Sequence, residues 1–168
     1  YRAPLRDMKF VFNDVLNAYE VSQVVPEHAE FSADLGEAIL EEAAKLAENV
    51  LAPLNSSGDK QGCSYDAQTY SVKTPEGFAS AYQQFARGGW TALACATEFG
   101  GQGLPHVLNM MVEEMVCSAN LSLGMYPGLT HGAINALTQH GTRALQEHFL
   151  PKLISGQWTG TMCLTESQ

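Results

Sequence analysis

The stretch "GGWTALACATEFGGQGLPHVLNMMVEEM", residues 88–115, decides the fold class. Its glycine turn, "EFGGQGL" at 98–104, has too few properly spaced glycines for a dinucleotide fingerprint and no Lys-Ser/Thr pair for a phosphate loop. On its residues alone it reads as a helix-to-helix turn that uses positive φ. Pro105 then opens a helix whose apolar residues Leu108, Met111, Val112, Met115 and Val116 recur at three- and four-residue steps. One apolar stripe on a helix has to be buried, and the neighbouring text offers other helices to bury it.

Upstream, Leu5, Met8, Phe12, Val15, Leu16 and Tyr19 make the stripe of a first helix that ends before Pro26 and reads as a separate N-terminal element. Ser32 is a good N-cap for a second helix, with Leu35, Ile39, Ala43, Leu46 and Val50 inward and a stop at Pro53; Glu37, Glu41, Glu42 and Glu48 read as a solvated face. Residues 55–74 read as a long connection, "NSSGDKQG" a loop and "SYDAQTYSVKTP" its ordered or semi-extended continuation. Thr74 and Pro75 open a third helix that carries Phe78, Tyr82 and Phe85 inward and ends at Gly88-Gly89.

Downstream, "NLSLGMYPG" at 120–128 reads as a break, with a helix resuming over 129–139 and closed by Gly141. Thr142 caps a short helix through Phe149, which Pro151 ends. The last ten residues, "TGTMCLTESQ", mix β-formers with small residues and read as one strand without a partner. The expected fold class is all-α, a bundle-like array of helices with a single strand beginning at its C-terminus.

With 45 % hydrophobic and 16 % charged residues the composition is that of an ordinary soluble domain, and no apolar run approaches a membrane span. Nine Lys plus Arg against eighteen Asp plus Glu give a net charge of −9, which argues against nucleic acid and anionic lipid as partners. Cys63, Cys95, Cys117 and Cys163 stand far apart and read as buried thiols of a reducing compartment. Tyr1 is not an initiator methionine and "YRAPLRDM" lacks the apolar stretch and small-residue cleavage site of a signal peptide, so the sequence is expected to be a piece of a longer chain.

Few constellations carry chemistry. Glu113 and Glu114 point about 100° apart on a helix and cannot share an acid/base site; they read as solvated. His140 and His148 are too far apart for one metal, and His28, His106 and His131 lack ligand partners at useful spacing, so no metal site is expected. No Ser lies in a G-x-S-x-G elbow and no Cys has a neighbouring base.

Three segments in order, residues 88–115, "HGTRALQEHFLPKLISGQW" at 140–158 and "TGTMCLTES" at 159–167, resemble the N-terminal helical domain of the acyl-CoA dehydrogenases. The shared pattern is a tryptophan-containing entry, an acidic residue before a Gly-Gly-x-Gly-Leu turn, a Glu-Glu helix, a Gly-Thr helix leading to Leu-Pro-x-Leu, and a Leu-Thr-Glu strand. The leading "YRAPLRDMKFVFNDVL" is similar to an extension carried by a subgroup that includes methylthiopropionyl-CoA-type dehydrogenases.

The resemblance implies residues 1–30 as an extension helix, 31–157 as the helical domain and 158–168 as the start of a middle β-domain. It implies an FAD-dependent enzyme of fatty acid metabolism that oxidises an acyl-CoA to its trans-2-enoyl form, in the cytoplasm, as a homodimer or homotetramer passing electrons to an electron-transfer flavoprotein. It assigns Met162, Leu164 and Thr165 to the flavin, and by position it gives Met125, Tyr126 and Leu129 to the acyl chain. It supplies no catalytic residue here, since the family's general base comes from a C-terminal helical domain. Ser167 stands where the family usually has proline, which leaves the turn after Glu166 open. On residues alone, Met125, Tyr126 and Leu129 serve equally as core, and Thr165 as an ordinary strand residue. Competing classes are a non-catalytic helical flavin-binding or interaction module and an acyl-CoA oxidase.

Overall fold

A computed structural model describes residues 1–165. The expected all-α architecture is what it shows. Among the described residues eight α-helices run in chain order: α1 (Leu5–Phe10), α2 (Ala18–Gln23), α3 (Ala33–Leu46), α4 (Ala52–Gln61), α5 (Phe78–Arg87), α6 (His106–Ala119), α7 (Leu121–His140) and α8 (Arg143–Ile154). One small antiparallel hairpin, β1 (Ser64–Asp66) and β2 (Ser71–Lys73), pairs Tyr65 with Val72 and is exposed on both strands.

Helix α6 is the centre, packed on α3 on one side and α7 on the other. Its predicted stripe, Leu108, Met111, Val112, Met115 and Val116, is wholly buried. It meets Leu40, Ala43, Ala44 and Ala47, where three small side chains let the two backbones come close. Met8 and Phe12 of the N-terminal helices lie in this same core, and the Phe12 ring stands edge-on to Phe31, with centroids 6.1 Å apart. Lys9 ties α1 to α3 through Glu37 at 2.8 Å and Glu41 at 2.7 Å, while Glu48 accepts the Ala3 amide, so three of the acids read as merely solvated hold the N-terminus down. A second, smaller core gathers Ala92, Phe99, Ile134, Leu150, Leu153 and Ile154. There Thr91 Oγ1 donates to the Ile154 carbonyl at 2.6 Å, closing the loop after α5 onto the end of α8.

Ser32 and Thr142 are N-caps as expected, accepting from Leu35 N at 3.1 Å and Leu145 N at 3.4 Å. The prolines behave differently from expectation. Helix α3 passes through a wide π-helical turn, Ala47–Leu51, straight into α4, so Pro53 falls in a first turn instead of ending a helix. The wide turn falls just before the proline, where a regular ladder would have called on its missing amide, and the stop moves to Gly62 at φ +63°. Pro127 and Pro151 lie inside α7 and α8; the break expected over 120–128 shrinks to Asn120, and α7 is one helix of 20 residues. The third helix starts later than Thr74-Pro75, at Phe78 behind Gly77.

A second wide turn, Val11–Val15, and a left-handed Asn17 rotate the first helix, so Val15 and Leu16 leave the predicted stripe and are exposed with Phe10, Val21 and Val24. Cys63 and Cys163 are exposed, not buried; Cys95 and Cys117 are half-buried, and burial pushes both thiols up. The expected strand is not formed over the described part of the tail: residues 159–165 carry no regular structure and pair with no strand among the described residues. A single strand leaves its ladder groups without partners and gains nothing from the conformation alone. Glu166, Ser167 and Gln168, on which the rest of that reading falls, lie outside the described residues.

Candidate functional site

Helix α7 organises the candidate residues. Met125 and Leu129 are four apart, hence on one face, and both line a cavity of about 300 Å³ bounded by α5, α6 and α7. Tyr126, one residue on, is turned away from that cavity and stands edge-on to Tyr82 with ring centroids 5.1 Å apart, lining a separate hollow. Tyr82 in turn donates to the Gly156 carbonyl at 3.0 Å, and burial raises its phenol above the ordinary range. Met125 is 60 % exposed and Leu129 39 %, so both line an open wall and neither is packed in the core.

The cavity walls include Phe85, Val112 and Val116, and one stretch of wall is polar. Glu113, read as solvated, is half-buried there; its Oε1 accepts from Asn109 Nδ2 at 2.8 Å and from His131 Nδ1 at 3.1 Å. Glu114 is exposed, as expected. His131 has a partner after all, across α6 and α7, though the partner is a hydrogen-bonded carboxylate and no metal cluster occurs among the described residues. These polar residues escape a sequence reading because Glu113 and His131 belong to different helices. The one local signal is Asn109 four residues before Glu113.

The hydrogen bond from His131, and after it that from Asn109, holds the Glu113 carboxyl below the usual carboxylate range against the opposing effect of burial. A depressed folded-state pKa contributes stability that is present above the unfolded value of about 4.3 and is lost as pH falls through the folded value. Acid unfolding followed by circular dichroism should therefore show a shallower loss of stability below about pH 4.5 in Glu113→Gln than in the parent. Coincident acid limbs would mean that the ionised carboxylate gains nothing from its two donors.

The tail begins on the same helix. The Gly160 amide donates to Thr130 Oγ1 at 3.1 Å, and a Cβ on Gly160 would stand 2.7 Å from that of Ala133 and 3.4 Å from the Leu129 carbonyl, so only glycine passes this closely. From this anchor run Met162 and Leu164, 66 % and 81 % exposed, and the exposed Thr165. Two uncovered apolar side chains beside a free hydroxyl suit the face and polar edge of a planar heteroaromatic cofactor such as a flavin, so these residues fit the group.

Glu98, the acid before the glycine turn, is otherwise engaged. Glu98 meets Arg143 at 2.9 Å, and Arg143 also takes Glu147 and lies over the Phe99 ring at 5.1 Å. Among the described residues no helix is long and apolar enough to cross a membrane.

The acyl-CoA dehydrogenase N-terminal domain model matches residues 34–157. Over all 168 residues the chain is 39 % identical to 3-methylmercaptopropionyl-CoA dehydrogenase of Ruegeria pomeroyi, covering 28 % of that protein. Over 167 residues it is 32 % identical to a butyryl-CoA dehydrogenase of Syntrophomonas wolfei, covering 27 % of it. Among solved structures, butyryl-CoA dehydrogenase from Megasphaera elsdenii superimposes with a TM-score of 0.64 at 23 % identity, over 79 % of this chain and 32 % of that one. The chain thus spans between a quarter and a third of the length of these relatives.

Proposed function

The chain belongs to the acyl-CoA dehydrogenase family, and from that premise we propose that it is the N-terminal part of an FAD-dependent enzyme oxidising a saturated acyl-CoA to its trans-2-enoyl thioester. The observation that carries the reading is the common origin of the two candidate surfaces. The acyl candidates Met125 and Leu129 line one cavity, and the flavin candidates Met162, Leu164 and Thr165 follow from a glycine pinned beside Leu129. A chain laid in the cavity and a ring laid on the tail would meet along α7, as the reaction requires.

In this reading residues 1–30 are an extension, 31–157 the helical domain and 158–168 the beginning of a β-domain. Bound FAD would supply the acceptor for the β-hydrogen. The residues of this chain bind and orient: Thr165 offers its hydroxyl to the ring edge, Met162 and Leu164 bring their backbone up to the ring, and the cavity holds the chain out of water. Tyr126 takes part from the neighbouring hollow. The general base comes from elsewhere in the protein, as the resemblance to the family implies, while Glu98 pairs with Arg143 and Glu113 is held through one oxygen. The electrons leave to an electron-transfer flavoprotein, and the enzyme works in the cytoplasm as a homodimer or homotetramer.

The test is anaerobic titration of the full-length protein, loaded with FAD, with butyryl-CoA and methylthiopropionyl-CoA, with an artificial electron acceptor added for turnover. Bleaching of the flavin and formation of the enoyl thioester are expected. No bleaching with any acyl-CoA would make the domain a non-catalytic module, and rapid reoxidation by oxygen would make the enzyme an oxidase.

A further inference from the structure

The cavity between α5, α6 and α7 is mainly apolar, and its one hydrogen-bonded polar cluster, Glu113 with Asn109 and His131, is built, not incidental. Asn109 is 1 % exposed and donates its amide to Glu113 Oε1, fixing the carboxylate from its own helix, while His131 Nδ1 fixes it from α7. Both donors converge on one oxygen. The second oxygen, Oε2, has no hydrogen-bond partner among the described residues. A hydrogen-bonded carboxylate with one oxygen spoken for and one free is an acceptor awaiting a donor.

Gly128 is a second, independent sign that something enters. It stands in the cavity wall in mid-helix, and a Cβ there would meet no atom within 4 Å. Packing within this domain does not ask for glycine at that position, and glycine weakens a helix interior relative to alanine. Its absent side chain keeps the wall back beside Met125 and Leu129.

We propose that this cavity selects acyl chains bearing a hydrogen-bond donor, a hydroxyl, on their distal part, and that Glu113 is the specificity-determining residue through Oε2. The proposal rests on the acyl-CoA reading above and names its substrate class. A plain hydrocarbon that reaches Glu113 strips water from the free oxygen without replacing the hydrogen bond, and a site built to accept from a hydroxyl rejects the analogue that lacks one. An ether oxygen at the same place accepts only, so it fares no better than the hydrocarbon.

The experiment compares, on the full-length protein, acyl-CoAs of four to eight carbons in three forms: unsubstituted, ω-hydroxy and ω-methoxy. Their kcat/KM values are measured, along with dissociation constants by calorimetry on protein whose flavin has been pre-reduced so that no turnover occurs. At one chain length or more, the hydroxyl form should lead the methoxy form about tenfold in both measures, partial exposure of Glu113 limiting the gain. Glu113→Met, similar in size and without oxygens, should remove that lead. Equal hydroxyl and methoxy values at every length in the parent protein would overturn the proposal whether or not the variant folds, as would a lead that survives in Glu113→Met. If no acyl-CoA is oxidised, the dehydrogenase reading fails and the calorimetric comparison still decides the role of Glu113.

Discussion

Gly101→Ala should destabilise the domain by about 3 kcal/mol or more, read as a fall in the urea midpoint at unchanged slope. A Cβ at residue 101 would lie 2.0 Å from the Cys95 carbonyl oxygen and 2.3 Å from its carbon, and both are backbone. The carbonyl cannot yield cheaply, because it accepts the Gly103 amide at 2.9 Å in a short ladder whose other rungs are Gln102 N to Ala92 O and Leu104 N to Leu93 O, both at 2.9 Å. Moving Cys95 therefore adds broken hydrogen bonds to the overlap. Gly100→Ala is the control. Gly100 has φ +89° and open space around it, so alanine there bears only the left-handed penalty of about 1–2 kcal/mol. Equal losses at the two positions would show that the turn relaxes and that contact at 101 is not what matters.

The same turn shows what a sequence reveals. "EFGGQGL" reads as a turn needing positive φ, and Gly100 and Gly103 have it, at +89° and +63°. Gly101 is glycine for a different reason, close approach to a strand of backbone six residues earlier, and spacing carries no trace of that. The stripe of α6 was legible because a helix with one apolar face has one way to be buried. The prolines misled because their local cost was set against stops at 53, 127 and 151, whereas a π-helical turn and tertiary packing carry the helices through. At the site, the i,i+4 spacing of Met125 and Leu129 puts them on one wall, and the same arithmetic, about 100° per residue, sends Tyr126 to Tyr82. Glu113 with His131 is a contact between helices, and no periodicity within either helix encodes it.

Asn120→Ala should cost about 2 kcal/mol, a fall in Tm of roughly 4–8 °C for a chain of this size, because one side chain joins two elements. Asn120 is 1 % exposed at the junction of α6 and α7. Its Oδ1 accepts from Leu123 N at 3.2 Å as the N-cap of α7, and its Nδ2 donates at 3.2 Å to the Leu51 carbonyl, at the N-cap of α4. Alanine orphans a helix-end amide, worth about 1 kcal/mol as a lost cap, and deletes the bond from Nδ2 to Leu51, worth about 1 kcal/mol as a net hydrogen bond. Two further substitutions separate the halves. Asn120→Ser keeps a cap acceptor but is too short to reach Leu51, so it should recover only the share owed to the cap. Asn120→Asp keeps the cap better still, yet turns a carboxylate oxygen toward the carbonyl it used to satisfy, so it should be destabilising near neutral pH and less so in acid, where the protonated group donates again. If serine restored full stability, the bond to Leu51 would count for nothing and the junction would be held by packing alone. If aspartate were insensitive to pH, its side chain would have left the site for solvent.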